Sequence, residues 1–422
     1  MQPVRMSFKQ GGRVNFGAAP EAVPDRLSPV FDPEAPSQLP TAVTLFINGK
    51  FTLQPSTGVQ RVACNLLCAL DARLAARLAA AQHRPTGRVV LLLPHGAPAP
   101  TLRHIETLVV GHHAMPSHWW EQYQLPLAAR GGLLLNLSGS APLLARRQVC
   151  MLHDAAVFDH AASYTAAFRY WYQALFWLLA RRQTTLLTVS AFSRLRLSQC
   201  LGIAAGRLGI VHHGGEHLRD TPPDDSVLAR FGLLPGQYFL AVGSANPSKN
   251  FDRLERAFEQ MHDRRGVKLV IVGAADARVF AGQAQWAPGL DVIRTGRVDD
   301  AALKALYQQA TALVFPSLYE GFGLPPLEAM ACACPVAASN AAAVPEVCGD
   351  AALYFDPASV DQISAAMQRL LDDPALRERL RQAGLLRAQV FSWGQAAELL
   401  QAQLQPQLLQ ARALGAVGCA VP

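Results

Sequence analysis

The chain has 422 residues, of which 50% are apolar and only 16% charged, with a formal net charge of +7. At ~150 residues per domain this means two to three units with large buried cores, which excludes a disordered chain. The eight cysteines (Cys64, Cys68, Cys150, Cys200, Cys332, Cys334, Cys348 and Cys419) form no CxxC pair; they exclude a zinc or disulfide scaffold and read as reduced thiols, mostly in the core.

No apolar run approaches the ~18 residues of a membrane span. The first twenty residues contain no apolar h-region, so the chain is expected to stay in the cytosol. Residues 1–220 hold 21 Lys and Arg against 11 Asp and Glu, whereas residues 221–422 hold 17 against 20. The basic half fits an anionic partner (a phosphorylated lipid, a membrane surface or nucleic acid) or simply an arginine-rich solvated face.

Residues 1–40, rich in Pro, Gly and Ala without periodicity, read as a mobile arm. The run 41–49, TAVTLFING, predicts a buried strand stopped by Asn-Gly. Thr57 can then cap a helix that Gly58 opens, with Val59, Val62, Leu66, Leu67 and Leu70 on one face. Further apolar strands are expected at 88–94, 133–138, 148–154 and 184–190. Alternation of such strands with helices predicts a parallel sheet covered on both faces.

The pattern breaks near 212–237, where paired glycines, paired prolines and an acidic pair mark a linker, taken as a hinge over 219–237. A second series starts afresh at 238–244, 267–273, 290–296 and 311–317, with shorter strands at 335–339 and 351–355. The predicted class is α/β. Two doubly wound Rossmann-like domains, 41–218 and 238–385, enclose a cleft, and a helical segment over 386–413 returns to the first domain. Such sheets bind ligands at the carboxyl ends of their strands, so the cleft is the expected site.

The segment 315–339, FPSLYEGFGLPPLEAMACACPVAAS, carries most information. A strand ends at Phe315-Pro316-Ser317. Glu320 then enters a glycine-rich turn in which Gly321 and Gly323 permit close backbone approach. Pro325 and Pro326 suit a first helical turn. The loop amides and the helix N-terminus make an anion site between a carboxylate at the rim, Glu320, and a deeper one, Glu328. That combination suits a nucleotide diphosphate sugar; a capped helix with two incidental acids is the plainer alternative.

This segment resembles the signature of the retaining GT-B glycosyltransferases of family 4. The stretches 239–258, 270–276, 292–317 and 344–357 are similar to family segments in family order. In the first half, STGVQRVA (56–63), WWEQYQLPL (119–127), MLHDAAVFDH (151–160) and LLTVSAFSRLRL (186–197) resemble a bacterial polysaccharide-assembly branch. The resemblance implies that Glu320 binds donor-sugar hydroxyls and that Glu328 binds the ribose. It implies that Phe322, Gly323 and Leu324, with Gly321 in the same turn, offer backbone amides, and that Lys249, in the loop opened by Ser244, neutralises the diphosphate. It also implies that Val298 holds the base through its backbone, that Gly58 lies in a loop closing over the pyrophosphate, and that His153 faces the donor sugar. The implied partners are a nucleotide-sugar donor, best guessed as GDP-mannose, and a glycan or polyprenyl-diphosphate-linked acceptor.

Relatives usually carry Arg where this chain has Ser244 or Ser248, leaving Lys249 as the loop's cation, with Arg253 one turn on as a substitute or a surface charge. The Asp pairs at 224–225, 299–300 and 372–373 fall in linkers or helix starts, where acids complement the helix dipole, so no metal cofactor is expected. Asp154 is either a nucleophile or a helix cap, and a front-face displacement is the preferred route. A nucleotide-sugar 2-epimerase of the same fold and a non-catalytic binder are the alternatives. The first lacks an added acid–base set, and the intact carboxylate pair argues against the second.

The histidines His112, His113, His118, His212, His213 and His217 lack converging metal-ligand spacing and are expected in structural or surface roles. The helix expected over 167–182, with aromatics all round and Arg181 and Arg182 at its end, either packs on the sheet or touches membrane lipid, peripherally on the inner face. No RNA- or DNA-binding signature, dinucleotide fingerprint or P-loop is present, so nucleic acid is not expected as a partner.

Overall fold

The computed structural model describes residues 43–54, 57–80, 87–111, 115–182, 184–273 and 291–418; for 77–80 and 411–418 only the backbone is considered. The expected arm over 1–40, His112, His113, Cys419 and residues 274–276 lie outside the described residues.

The apolar runs build two parallel sheets. The first contains β1 (Leu45–Asn48), β2 (Val89–Pro94), β3 (Glu106–Val110), β4 (Leu133–Asn136), β5 (Gln148–Met151), β6 (Thr185–Thr188) and β7 (Leu208–Ile210), in the order β3-β2-β1-β4-β5-β6-β7. The second contains β8 (Tyr238–Val242), β9 (Lys268–Val272), β10 (Val292–Gly296), β11 (Ala312–Phe315), β12 (Val336–Ser339) and β13 (Leu353–Phe355), in the order β10-β9-β8-β11-β12-β13. Central strands are buried on both faces, which is why they read as unbroken apolar runs. In register, Ile47 lies between Leu91 and Leu135, and Leu240 between Val270 and Leu313.

Two edge strands were absent from the sequence reading. β3 exposes Glu106 through Val109, and β7 is only three residues long with a central glycine. Edge strands bury less and therefore carry a weaker apolar signal. The stretch expected as a hinge contributes Val227, Leu228 and Leu233 to the second core and contains a helix, Ser226–Arg230.

Both sheets lie in one unit, residues 38–422. The last helix, Trp393–Gly418, starts beside the second sheet's helices and runs back over the first. Its Ala396, Leu400, Leu404 and Leu408 join the first core, and Arg73 Nε donates to Gln401 Oε1 at 3.1 Å. Each of those buried leucines is worth ~1.5–3 kcal/mol.

The aromatic helix spans Ala166–Arg181 and carries aromatics on both its packed and its exposed side. Leu175, Phe176, Leu179 and Ala180 pack inward, while Tyr170, Trp171 and Trp177 are exposed. Arg169 sits 4.4 Å over Tyr170 and Arg181 3.9 Å over Trp177. The seven described cysteines are free; the four in or beside the sheets are buried, but Cys64 and Cys68 lie exposed on the helix Gly58–Ala80.

Candidate functional site

In the second sheet the winding reverses between β8 and β11, so the loops leaving these strands diverge and open a crevice at their carboxyl ends. Asn250, at φ 63°, stitches the two loops together: its Nδ2 donates to Pro316 O at 3.0 Å and Pro357 O at 2.7 Å. Leu318 N donates to Ser248 O at 2.7 Å. Arg253 serves the same stitch through Asn250 Oδ1 at 2.7 Å. Across this frame Lys249 Nζ donates to Glu320 Oε1 at 2.5 Å, and Ser317 Oγ donates to the same oxygen at 2.5 Å. The lysine and glutamate side chains are 18% and 13% exposed, so water and a ligand can still reach them. The lysine stem lies close over Gly243, next to Ser244.

The glycine turn rests directly on the first sheet. A Cβ on Gly321 would stand 2.5 Å from His153 O and 2.8 Å from Asp154 Cβ. Gly321 O accepts hydroxyls from Ser190 at 2.6 Å and Ser193 at 2.9 Å. The Phe322 ring is buried in the first sheet's core, a packing role that sequence reasoning had not assigned to it. Gly323, at φ 108°, then turns the chain into the helix Leu324–Ala331, with Pro325 and Pro326 in its first turn. No side chain caps this helix, and since Pro325 and Pro326 carry no N–H, the amides left to an anion here are those of Gly323 and Leu324.

One turn inside, Glu328 is buried. Tyr307 Oη donates to its Oε2 at 2.9 Å, and His217 Nε2 lies 3.1 Å from its Oε1. Trp393 Nε1 donates to His217 Nδ1 at 3.3 Å, which places the imidazole proton on Nε2. Burial alone would raise this carboxyl. His217, the Arg61 charge and Tyr307 more than offset it and hold Glu328 below the usual range. His217 thus has the structural one of the two roles expected of it, enclosed beside Glu328 with its side chain 7% exposed. Its sequence signal was weak, because the partners stand 90 and more positions away.

His153 Nε2 donates to Leu137 O at 2.8 Å, leaving Nδ1 as an acceptor. Burial, only partly opposed by that hydrogen bond, lowers its pKa to about 4, so the ring is neutral at pH 7. Beside it, His213 is buried against Phe322 and Trp393, with no hydrogen-bond partner at either nitrogen, and burial pushes it well below the usual histidine value. Asp154 Oδ1 accepts from Ala156 N at 2.8 Å, a local bond two residues on, just ahead of the short helix Ala156–Asp159, whose N-cap position is Ala155. Burial raises its carboxyl.

The other assigned residues lie across the seam. Gly58 opens the helix Gly58–Ala80, with open space where a Cβ would stand. Val298 packs on the second core, two residues before Asp300, whose Oδ1 lies 2.7 Å from Arg61 Nη2. The acidic pairs fall largely as expected at helix starts: Asp299 Oδ1 accepts Ala302 N at 2.9 Å and Asp373 Oδ1 accepts Leu376 N at 2.8 Å. Among the described residues no group of three or more His, Cys, Asp or Glu is arranged to hold a metal ion.

Residues 234–387 match the family described as glycosyl transferases group 1. The chain is 36% identical over 219 residues to the O-antigen chain mannosyltransferase B of Escherichia coli, covering 49% of this chain and 57% of that protein. It is 34% identical over 226 residues to the MMP alpha-(1->4)-mannosyltransferase of Mycolicibacterium hassiacum, covering 52% and 53%. The chain thus spans little more than half the length of these curated relatives. Among solved structures, sucrose-phosphate synthase from Thermosynechococcus elongatus superposes with a TM-score of 0.65 at 20% identity, covering 88% of this chain and 100% of that one. Anabaena HepE in complex with UDP and glucose gives 0.61 at 17%, covering 86% and 99%. These likenesses, with the two parallel sheets, identify the fold as GT-B.

Proposed function

We propose that this chain is a retaining, metal-independent glycosyltransferase that moves a hexose, best assigned as mannose from GDP-mannose, to a growing lipid-linked cell-surface glycan on the cytoplasmic face of the membrane. The observation that carries the reading is the Lys249–Glu320 pair at the winding reversal of the second sheet, set beside an uncapped helix start and one turn from Glu328. The match over residues 234–387 and the mannosyltransferase relatives support the class and the sugar.

In this reading the diphosphate takes Lys249 and the amides from Gly321 to Leu324, with Ser244 and Gly58 flanking it. Glu320, released from the lysine, takes sugar hydroxyls. Glu328 turns to the ribose and the Val298 backbone to the base. The neutral His153 accepts a sugar hydroxyl at Nδ1. The bond from the anomeric carbon to the diphosphate oxygen breaks, the acceptor oxygen bonds to that carbon on the same face, and the departing oxygen takes the acceptor proton. Charge growing on the diphosphate is met by Lys249 and the helix start, already oriented before reaction. Asp154, whose Oδ1 is held by the Ala156 amide, is not required as a nucleophile.

The exposed Tyr170, Trp171 and Trp177, with Arg169 and Arg181 on the same helix and Arg182 just past its end, fit an interfacial patch on anionic lipid. Among the described residues no helix is long and apolar enough to cross a membrane. Sedimentation with phosphatidylglycerol vesicles should show binding that weakens with salt; no binding at low salt ends this part of the reading.

The main test incubates the protein with GDP-mannose, UDP-glucose and lipid-linked acceptor sugars and reads product configuration by NMR. An α-linked mannosyl product is expected. An inverted linkage, or epimerised donor without transfer, refutes the reading.

A further inference from the structure

Arg61 belongs to the first sheet's opening helix, one turn beyond Gly58, yet its guanidinium crosses to the second sheet. Nη2 lies 2.7 Å from Asp300 Oδ1, and the two side chains are 22% and 46% exposed. A pair so open to water is weak and readily exchanged. The charge on the same guanidinium helps to hold Glu328 below the usual carboxylate range. Arg61 therefore stands among the three features that the proposed function gives to the nucleotide: Glu328, the turn carrying Val298, and the helix start at Gly58, where a missing side chain leaves space.

The cation balance points the same way. In the second sheet's donor loop Ser244 and Ser248 are uncharged, Arg253 is tied to Asn250, and Lys249 already shares its charge with Glu320. A diphosphate carries more negative charge than one shared lysine neutralises. A guanidinium matches phosphate oxygens with a fork of two parallel hydrogen bonds.

We infer that Arg61 is the second cation of the donor site, leaving Asp300 when a nucleoside diphosphate binds and gripping its phosphate oxygens from the first sheet. Asp300 is the resting partner that keeps the guanidinium extended across the seam. The inference rests on the proposed function and adds a residue and a direction to it, since the donor is held from both halves and its arrival exchanges one ion pair for another.

The test measures GDP and UDP binding by titration calorimetry, and guanosine and uridine binding by ligand-detected NMR. Wild type is compared with Arg61→Met, which keeps the stem without the charge, with Arg61→Lys, and with Asp300→Asn; melting curves confirm folding. Arg61→Met should weaken the preferred diphosphate by ~10–100-fold, the scale of a lost charged hydrogen bond, and leave the nucleoside unchanged. Arg61→Lys should fall between, and Asp300→Asn should bind as wild type or tighter. Wild-type affinity in Arg61→Met overturns the inference. So does an Asp300→Asn defect equal to that of Arg61→Met, which would make the pair a clamp between the halves. If wild type binds neither diphosphate, the donor-site reading falls and the inference with it; binding by wild type with an unaffected Arg61→Met removes the inference alone.

Discussion

Lys50 follows β1 and Lys249 follows β8, so each sheet places a lysine where its winding reverses, and each lysine holds a glutamate. The two pairs differ in burial. Lys50 and Glu121, 2.7 Å apart, are both 1% exposed. Glu121 Oε1 also accepts Asn48 Nδ2 at 3.0 Å and Ser140 Oγ at 2.7 Å, and Asn48 Nδ2 reaches Asn136 Oδ1 at 3.0 Å. The first sheet's crevice is thus filled by its own side chains, with every charge answered. Lys249 and Glu320 have fewer partners and stay open to water. The same residue types at the same topological point make a sealed structural pair in one half and a pair still open to water in the other, where the proposed donor site lies, and the number of protein partners separates the two.

Breaking the first pair should produce the largest effect. Glu121→Ala leaves a buried ammonium unanswered and should cost ~3–5 kcal/mol, measured by urea unfolding. The double change Lys50→Met with Glu121→Leu should recover most of that loss. A small cost for Glu121→Ala would show that the plug is not sealed and would erase the contrast.

The second pair should respond in the opposite sense. Glu320→Ala should lower turnover by more than ~100-fold, the scale of lost electrostatic preorganisation, while moving the urea midpoint far less than Glu121→Ala. Near-normal turnover would remove Glu320 from the chemistry.

The smallest effect is the acid sensitivity of the seam. His153 and His213 have folded pKa values below the ordinary value of about 6.5. Below that pH the unfolded chain takes up protons that the folded chain refuses. Stability present above about 6.5 is therefore lost as pH falls, for His153 progressively toward about 4. Urea midpoints at pH 7.5 and pH 5 should show this loss, and His213→Phe should flatten it. An unchanged slope in that variant would place the acid sensitivity elsewhere.

The α/β class, eleven of the strands and the Glu320–Glu328 segment were legible in the sequence, because each is written in neighbouring positions: an apolar run, an Asn-Gly stop, glycines and prolines around a helix start. Strands β3 and β7 were not: β3 is exposed over Glu106 to Val109, and β7 has only three residues with a glycine at its centre, so neither carries a long buried apolar run. Nor were the partners of Glu328, since Tyr307, His217 and Arg61 come from three separate elements, and Trp393, which orients His217, from a fourth.

The chain's own order of residues determined that there would be two wound sheets and that a carboxylate-flanked turn would leave β11, since backbone preference and burial period act over a few positions. Which lysine would be sealed and which left reachable, which histidines would lose their charge, and that an arginine of one half would meet an aspartate of the other were decided only by tertiary packing. Those outcomes depend on desolvation and on distances between groups far apart in the chain, and neither quantity exists until the two sheets are closed against each other.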